Sequence, residues 1–442
     1  MKKNFLLSLL AFLLITTASY AQQSFQELMD FGVKQSNLSN YATAQSAFSQ
    51  AIALKPGDAV AHFNRAITKA NLKDNRGAIN DFDKALELNP RYSEAFAGRG
   101  QSKARQGDHK GALQDYNSCI ALNPIDANTY FLRGQSKVKL ENYKGALSDY
   151  NKSLDQTPDN AQGYTARGAI KQKLEDYNGS LDDFTKAIEI SPKRSTSFAG
   201  RALSKMKLND FKGAIADYGK ALELTPEDAE SLYFRGYCKS QMEDYQGALI
   251  DFDRALGREP ENASAFYGRG FAKSKLGNTK SAIEDFNKSI SIGNIENNKV
   301  VFSGAITKQL LENLMTNVQE RLKMAEMSPE RSEVYYNRGQ SKARNGDAKS
   351  AIEDYNKAIA LNPTYSEAYF TRGMLKSQTG DQRGAIQDCT NAIKLNAKYA
   401  EAFYVRGIIR HALGDTDGCN DLSKSGELGY TPAYGVIRDY CN

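Results

Sequence analysis

A 34-residue segment occurs twice in this chain, and this constrains the fold more than any other feature. Residues 93–126 read SEAFAGRGQSKARQGDHKGALQDYNSCIALNPID, and residues 332–365 match them at 21 of 34 positions. The two copies start 239 residues apart, which is one residue more than seven periods of 34. The sequence between them is therefore predicted to be the same unit repeated, with one shift of register. A fixed period of this size is typical of solenoids, in which each unit packs only against its neighbours.

One unit predicts two helices joined by a tight turn. Apolar and small residues recur at helical spacing on both sides of Gly107, and Pro124 closes the unit because proline cannot continue a helix. We expect Gly100 and Ala112 to lie where the two helices approach most closely, with the large side chain of Tyr116 filling the space beside them. One such hairpin cannot bury its apolar face alone, so neighbouring hairpins must stack on it.

This pattern resembles the tetratricopeptide repeat (TPR) family, whose units carry an aromatic residue at position 4, small residues at 8 and 20, an aromatic at 24 and proline at 32. The matching residues are Phe96, Gly100, Ala112, Tyr116 and Pro124. Arg99 at position 7 and Lys103 at position 11 depart from the family's leucine and tyrosine, and both departures recur in almost every unit. The resemblance implies an all-α fold, an α-solenoid superhelix of about twelve helix-turn-helix repeats.

The first 21 residues have the pattern of a secretory signal peptide. Lys2 and Lys3 precede an apolar stretch, and Ser19-Tyr20-Ala21 forms a small-residue cleavage site. The apolar stretch is short for a membrane span. The segment resembles a bacterial signal peptide, so we expect the protein to be exported and to be periplasmic or extracellular. Cleavage lowers the formal net charge from +6 to +4, which is too small to indicate a nucleic-acid partner.

The register of the repeats predicts five segments. After the signal peptide at 1–21, residues 22–296 hold repeats one to eight. Residues 332–433 hold repeats ten to twelve, and residues 434–442 form a C-terminal capping helix. The intervening residues 297–331 fit poorly: we interpret them as a degenerate stacked repeat, and the alternative is a helical insert.

Nine units combine arginine at position 7 with aspartate at position 23. The pairs are Arg65/Asp81, Arg99/Asp115, Arg133/Asp149, Arg167/Asp183, Arg201/Asp217, Arg235/Asp251, Arg269/Asp285, Arg338/Asp354 and Arg372/Asp388. The first unit has Phe31 and Ala47 instead, so both charges disappear together, as expected for charges paired inside a helix interface. We interpret them as a structural ion-pair ladder, and the alternative is a row of ligand-binding arginines. Pairing within the repeat is favoured, although pairing with the preceding repeat remains open.

Position 5, which faces the concave surface in the TPR family, is aromatic in the last six units. With two aromatics at position 9, the candidate partner-binding residues are Tyr233, Tyr237, Tyr267, Phe271, Phe302, Tyr336, Phe370 and Tyr404. An aromatic row in a groove would anchor an extended peptide. The alternative is packing between successive first helices. Basic residues at position 13, such as Arg105 and Lys139, either favour an acidic partner or form a solvated flank.

The cysteines fall into two groups. Cys419 and Cys441 are equidistant from Tyr430, so a hairpin of the last two helices would bring them level and allow a disulfide bond. The alternative is two free thiols. The other three, Cys119, Cys238 and Cys389, stand at interior repeat positions and are predicted to be buried thiols.

The sequence offers no support for catalysis. The three histidines lie in different units, and none has a cysteine or carboxylate at ligand or triad spacing. We therefore expect no catalytic residues, no metal and no cofactor, and a non-enzymatic scaffold that binds an extended protein or peptide segment in its concave groove. The alternative is a structural component of an envelope assembly that uses edge or tail contacts, and a cell-wall enzyme is the least favoured interpretation.

Overall fold

The computed structural model describes residues 24–297 and 331–441, and within these ranges the chain is helical, with no strand. The first eight repeats contribute α1 Phe25–Asn37, α2 Tyr41–Leu54, α3 Ala59–Asn71, α4 Asn75–Leu88, α5 Ser93–Arg105, α6 His109–Leu122, α7 Ala127–Lys139, α8 Tyr143–Gln156, α9 Ala161–Lys173, α10 Tyr177–Ile190, α11 Ser195–Lys207, α12 Phe211–Leu224, α13 Ala229–Gln241, α14 Tyr245–Arg258, α15 Ala263–Lys275 and α16 Thr279–Asn297. The remainder contributes α17 Arg331–Arg344, α18 Ala348–Leu361, α19 Ser366–Gln378, α20 Gln382–Leu395, α21 Ala400–Ala412, α22 Asp417–Glu427 and α23 Pro432–Tyr440.

The helices pair as predicted, and consecutive pairs form a TPR-like solenoid. The chain divides into two compact units, residues 1–204 and 205–442, and the division falls within α11. Inside each unit, a second helix packs against the first helix of its own repeat and against the first helix of the next. Successive first helices also contact one another, so they line one face of each unit. The predicted all-α solenoid is therefore confirmed.

The turn inside each repeat has one conformational requirement that the sequence meets in two ways. The residue at position 15 has positive φ in all eleven described repeats: it is glycine in five of them, such as Gly107 (φ 85°), and another residue in six, such as Glu141 (φ 58°). The left-handed conformation favours glycine because other residues crowd their own Cβ. The next residue caps the second helix, as where the Asp108 side chain accepts a hydrogen bond from the Gly111 amide.

The core of a repeat combines small and large residues as predicted. A Cβ added to Gly100 would lie 2.8 Å from Cε1 of Tyr116 and 3.2 Å from the carbonyl oxygen of Ala112. Both Tyr116 and Ala112 are fully buried. The glycine therefore lets the tyrosine ring fill the space between the two helices, and a larger residue there would force the ring out.

Helix α17 packs directly against α16, which bears on the segment between them. Arg338 of α17 donates from Nη1 to Asn287 of α16 at 2.8 Å, the same contact that other repeats make with the repeat before them. Asn337 donates to the hydroxyl of Tyr267 at 2.8 Å. This direct contact favours the alternative, a helical insert, over a repeat stacked between α16 and α17. The interpretation of residues 297–331 itself stays a prediction. Residues 298–330 themselves lie outside the described residues, as do the predicted signal peptide and Phe302.

Candidate functional site

Each arginine–aspartate pair is part of a charge triad, which we define as Arg at position 7, Lys at position 11 and Asp at position 23. Arg99 donates from Nε (3.0 Å) and Nη2 (2.5 Å) to the two carboxylate oxygens of Asp115. Lys103 lies 2.8 Å from the same carboxylate. Only 4% of the Asp115 side chain is exposed. The lysine that departs from the TPR pattern is therefore the second cation of this cluster, a role that we did not predict.

The same bidentate pairing occurs within the repeat throughout both units. It joins Arg65–Asp81, Arg99–Asp115, Arg133–Asp149, Arg167–Asp183, Arg235–Asp251, Arg269–Asp285, Arg338–Asp354 and Arg372–Asp388. Arg201 and Asp217 belong to different compact units. In the first unit Arg201 donates a hydrogen bond to Thr185, and in the second Asp217 lies 2.7 Å from Lys205. A bidentate fork fixes the relative positions of two helices more tightly than a single contact does.

The remaining arginine nitrogen reaches the preceding repeat. Nη1 of Arg99 donates to Asp83, and Nη1 of Arg133 donates to Asn117, both at 2.7 Å. Each of these partners stands at position 25 of the preceding repeat. The position-23 aspartate therefore comes from the arginine's own repeat, which is the alternative that we favoured. The preceding repeat contributes a different residue, at position 25, which we did not predict.

The electrostatics of the triads agree with a structural role. Burial raises the pKa of Asp81, but hydrogen bonds and charge from Arg65 and Lys69 outweigh it and leave the pKa below its usual value. Burial lowers the pKa of Arg99, and its bonds to Asp115 and Asp83 reverse that effect and raise it. All three guanidinium nitrogens of Arg99 already have protein partners, so the described geometry does not present this arginine to a ligand.

The end repeats explain two departures from the pattern. In the last repeat Arg406 forks onto Asp421 and Arg410 replaces the lysine, a triad that our sequence analysis missed because its spacing is 15 residues and not 16. A search for aspartate one residue early would have found it. In the first repeat, Phe31 and Gln35 stand at positions 7 and 11. All charges of the triad are therefore absent there together.

The candidate aromatic residues pack inside the solenoid. Tyr233 is buried, and Tyr237, Tyr267, Phe271, Tyr336, Phe370 and Tyr404 are half-buried. The ring of Tyr336 lies 5.8 Å from Tyr355 of its own repeat and 5.0 Å from Tyr365, which precedes the next one. The ring of Phe370 contacts Tyr399 in the same way, at 4.8 Å. These contacts correspond to the packing alternative, and partner binding by these residues stays a prediction.

An open cleft of about 400 Å³ lies on the first-helix face of the first unit, between α5 and α7. Its apolar surface includes Leu132 and Val138, and Gln135 lies beside them. Arg105 and Lys139, one repeat apart, supply two exposed cations. Two of the basic residues at position 13 therefore line this cleft, and their role in binding an acidic partner stays a prediction.

The structure pairs Cys419 with Cys441 as a disulfide, with their Cα atoms 5.7 Å apart, and the oxidised state of this pair in the native protein stays a prediction. The terminal helix Pro432–Tyr440 places Cys441 beside the first turn of α22, which contains Cys419. The other three cysteines are buried free thiols. Burial raises the pKa of Cys238 and of Cys389 to about 12, which makes both poor nucleophiles.

The structure places one of the histidines beside a cysteine. Nδ1 of His411 lies 4.0 Å from Sγ of Cys419, although eight residues separate them in sequence. Our expectation about the histidines rested on spacing along the chain, which did not reveal that His411 lies beside a cysteine in the fold. His62 instead contacts the Pro56 carbonyl oxygen at 3.0 Å.

Among the helices within the described residues, none combines the length and the apolar character that crossing a bilayer requires. No curated protein matches the chain. Solved structures similar to it include YrrB, a TPR protein with an unusual peptide-binding site, at 21% identity over 43% of this chain and 97% of that one, with a TM-score of 0.39. Yeast Tom70 is 17% identical over 94% of this chain and 95% of that one, with a TM-score of 0.36. The Cut9–Hcn1 hetero-tetramer of APC/C is 12% identical over 90% and 98%, with a TM-score of 0.46.

Family models described as tetratricopeptide repeat match residues 63–127, 127–160, 161–194, 200–238, 229–262, 263–292, 332–365 and 354–387. Together these matches cover more than half of the chain. Five of them, 127–160, 161–194, 229–262, 263–292 and 332–365, begin at the first residue of a unit in the 34-residue register. The chain therefore belongs to the tetratricopeptide repeat family.

Proposed function

We propose that this protein is a non-enzymatic scaffold that binds an extended segment of a partner protein on the first-helix face of its solenoid. The carrying observation is the cleft between α5 and α7, because it combines an apolar surface with polar groups at a fixed spacing. Gln101 and Gln135 line it one repeat apart, and so do Arg105 and Lys139. A repeated pair of donors suits a ligand that is itself periodic, such as a peptide backbone.

The charge of the cleft points to the chemistry of the bound segment. Arg105 and Lys139 are exposed, so carboxylates of a ligand reach them without displacing an internal ion pair. Arg105 also donates to the carbonyl oxygen of Ala70 at 3.3 Å, which restrains the guanidinium position. The proposed segment therefore carries acidic side chains on either side of an apolar one that contacts Leu132. The aromatic residues of the later repeats are proposed as a second, weaker contact region.

The test is affinity capture from the native envelope by crosslinking, followed by titration of the captured segment as a labelled synthetic peptide. Replacing Arg105 and Lys139 by Glu should weaken binding at least about tenfold, since two favourable charge contacts become repulsive. A matched control replaces Lys110 and Lys144 by Glu. These lysines are also exposed and one repeat apart, but they lie on second helices. Equal losses in both double variants would contradict a specific site in the cleft.

A second experiment separates binding from packing at the aromatic row. Replacing Tyr336 by Ala should lower the melting temperature, since its ring packs against two neighbouring tyrosines. Because Tyr336 is half-buried, the cost should be below the about 3–5 kcal/mol for truncating a fully buried aromatic. Loss of peptide binding at an unchanged melting temperature would instead place the anchor in the later repeats.

The competing proposal, a structural component of an envelope assembly, has one observation in its favour. Terminal repeats of solenoids usually present a polar outer face. Here the first repeat exposes Phe31 (40%), Val33 (41%) and Leu38 (61%). Replacing these three by Ser or Gln should abolish assembly but leave peptide binding intact if edge contacts carry the function. Location in the envelope is part of both proposals and rests on the signal-peptide pattern; fractionation of the native cells tests it.

A further inference from the structure

The end of the chain brings together three side chains that suit a metal ion. The ligand atoms of His411, Cys419 and Cys441 all lie within 4.8 Å of one another. They come from α21, the first turn of α22 and the residue after α23. All three residues are half-buried, so they are held by packing and are still reached from solvent. Two sulfurs and one imidazole form a donor set that selects zinc or copper(I) over calcium or magnesium.

We propose that, after reduction of the Cys419–Cys441 bond, the two thiolates and the imidazole of His411 bind one Zn²⁺ ion, with water as the fourth ligand. The disulfide and the zinc ion are then alternative cross-links between the same C-terminal helices. This site goes beyond the scaffold function, because it does not involve the first-helix face.

The geometry requires only a small rearrangement. Tetrahedral zinc with Zn–S near 2.3 Å and Zn–N near 2.0–2.1 Å separates two sulfurs by about 3.8 Å and a sulfur from a nitrogen by about 3.6 Å. Sγ of Cys419 and Nδ1 of His411 are already 4.0 Å apart. The two cysteine Cα atoms are 5.7 Å apart, so rotations about χ1 separate the sulfurs without moving the helices.

The chemistry balances with a dithiol as reductant. The dithiol gives two electrons and two protons to the Cys419–Cys441 disulfide and becomes a cyclic disulfide itself, while the S–S bond opens to two thiols. Each thiol then loses its proton as its sulfur bonds to zinc, so one Zn²⁺ ion replaces two protons. Three protein ligands and one water are typical of zinc sites with an open position.

The experiment uses the full chain, reduced with a dithiol and then separated from it without air. We expect one equivalent of Zn²⁺ per chain, and a Co²⁺ complex whose spectrum has a thiolate-to-cobalt charge-transfer band and the strong visible bands of tetrahedral cobalt. The oxidised protein should bind neither ion. The double variant C419S/C441S should lose binding although it keeps three other thiols. His411→Gln should weaken binding at least about tenfold. His109→Gln, a half-buried histidine in another repeat, is the matched control and should bind as the parent does.

The melting temperatures of the reduced and the oxidised parent protein test the site without relying on the folding of any variant. Zinc should raise the melting temperature of the reduced parent protein and leave that of the oxidised protein unchanged. The proposal is overturned if the reduced parent does not bind zinc, if C419S/C441S binds as much as the parent, or if His411→Gln binds as tightly as the parent.

Discussion

Removing the carboxylate of a charge triad should destabilise the solenoid more than removing the whole triad. In the fourth repeat, the carboxylate oxygens of Asp149 lie 2.6 Å from Nη2 of Arg133 and 2.8 Å from Nζ of Lys137. The Asp149 side chain is 2% exposed and the two cations 15% and 18%. Asp149→Ala therefore leaves two largely buried cations without a counter-charge. Breaking a buried pair in this way costs about 3–5 kcal/mol.

This free-energy cost predicts how much more often the affected repeats open. Since 1.4 kcal/mol is a factor of ten, this cost increases the open population of the affected repeats between about a hundredfold and a few thousandfold. In a solenoid the effect is confined to a repeat and its neighbours, because units contact only adjacent units. Hydrogen exchange of amides in α7 and α8, together with urea unfolding followed by circular dichroism, measures it.

The first repeat supplies the design for the comparison. A triple variant, R133F/K137Q/D149A, copies the residues Phe31, Gln35 and Ala47 that stand at the same positions there. We expect it to lose less than half the stability that D149A loses, because no unpaired charge remains. A control breaks the exposed pair Lys84–Glu87, with side chains 41% and 68% exposed, and should cost less than about 1 kcal/mol. The reasoning is refuted if D149A costs no more than this control, or if the triple variant is as unstable as D149A.

Three further predictions concern single sites. Gly219, at position 25 inside a helix, has open space around its Cβ position. Within the part of the chain that the structure describes, Arg235 of the next repeat donates hydrogen bonds from Nε and Nη2 and not from Nη1. Gly219→Asn should therefore stabilise the protein by about 1 kcal/mol or more and at least match Gly219→Ala in urea unfolding, despite the poorer helix propensity of asparagine. Burial, together with a nearby lysine, lowers the pKa of His109 below its usual 6.5. The unfolded chain therefore binds more protons than the folded one, so the parent protein loses stability as the pH falls from about 7 to 5. His109→Tyr should retain that stability, and identical pH profiles of the two proteins would count against this cause. Reducing the disulfide between Cys419 and Cys441, which are 22 residues apart, should destabilise the last repeat by about 3 kcal/mol, and peptide mapping of exported protein that recovers both as free thiols would reject the bond.

Much of the fold was predictable because the period records local geometry. Gly100, Ala112 and Tyr116 recur at the places where two helices of one repeat must meet, so their contact follows from the spacing within 34 residues. The pairing of Arg99 with Asp115 is predictable for the same reason, since both stand on facing helices of one hairpin. The simultaneous loss of both charges in the first repeat was a sufficient signal for it.

Contacts between repeats were less predictable, because they depend on how one hairpin is rotated against the next. The hydrogen bond between Arg99 and Asp83 depends on that rotation. The packing of position-5 aromatics, such as Tyr336 against Tyr365, depends on it too. The sequence left the role of the aromatics open and gave no indication of the Asp83 contact.

The sequence by itself determined the 34-residue repeat, the helix pairs and the charges that must be buried together, since each of these is fixed within one hairpin. Only the tertiary structure decided that α16 contacts α17 directly and that His411 lies beside Cys419. Both facts depend on where separate elements meet in space, and spacing along the chain does not specify that. The physical reason is that helix formation is set by neighbouring residues, whereas stacking is set by the shapes and charges of surfaces that only the folded chain brings together.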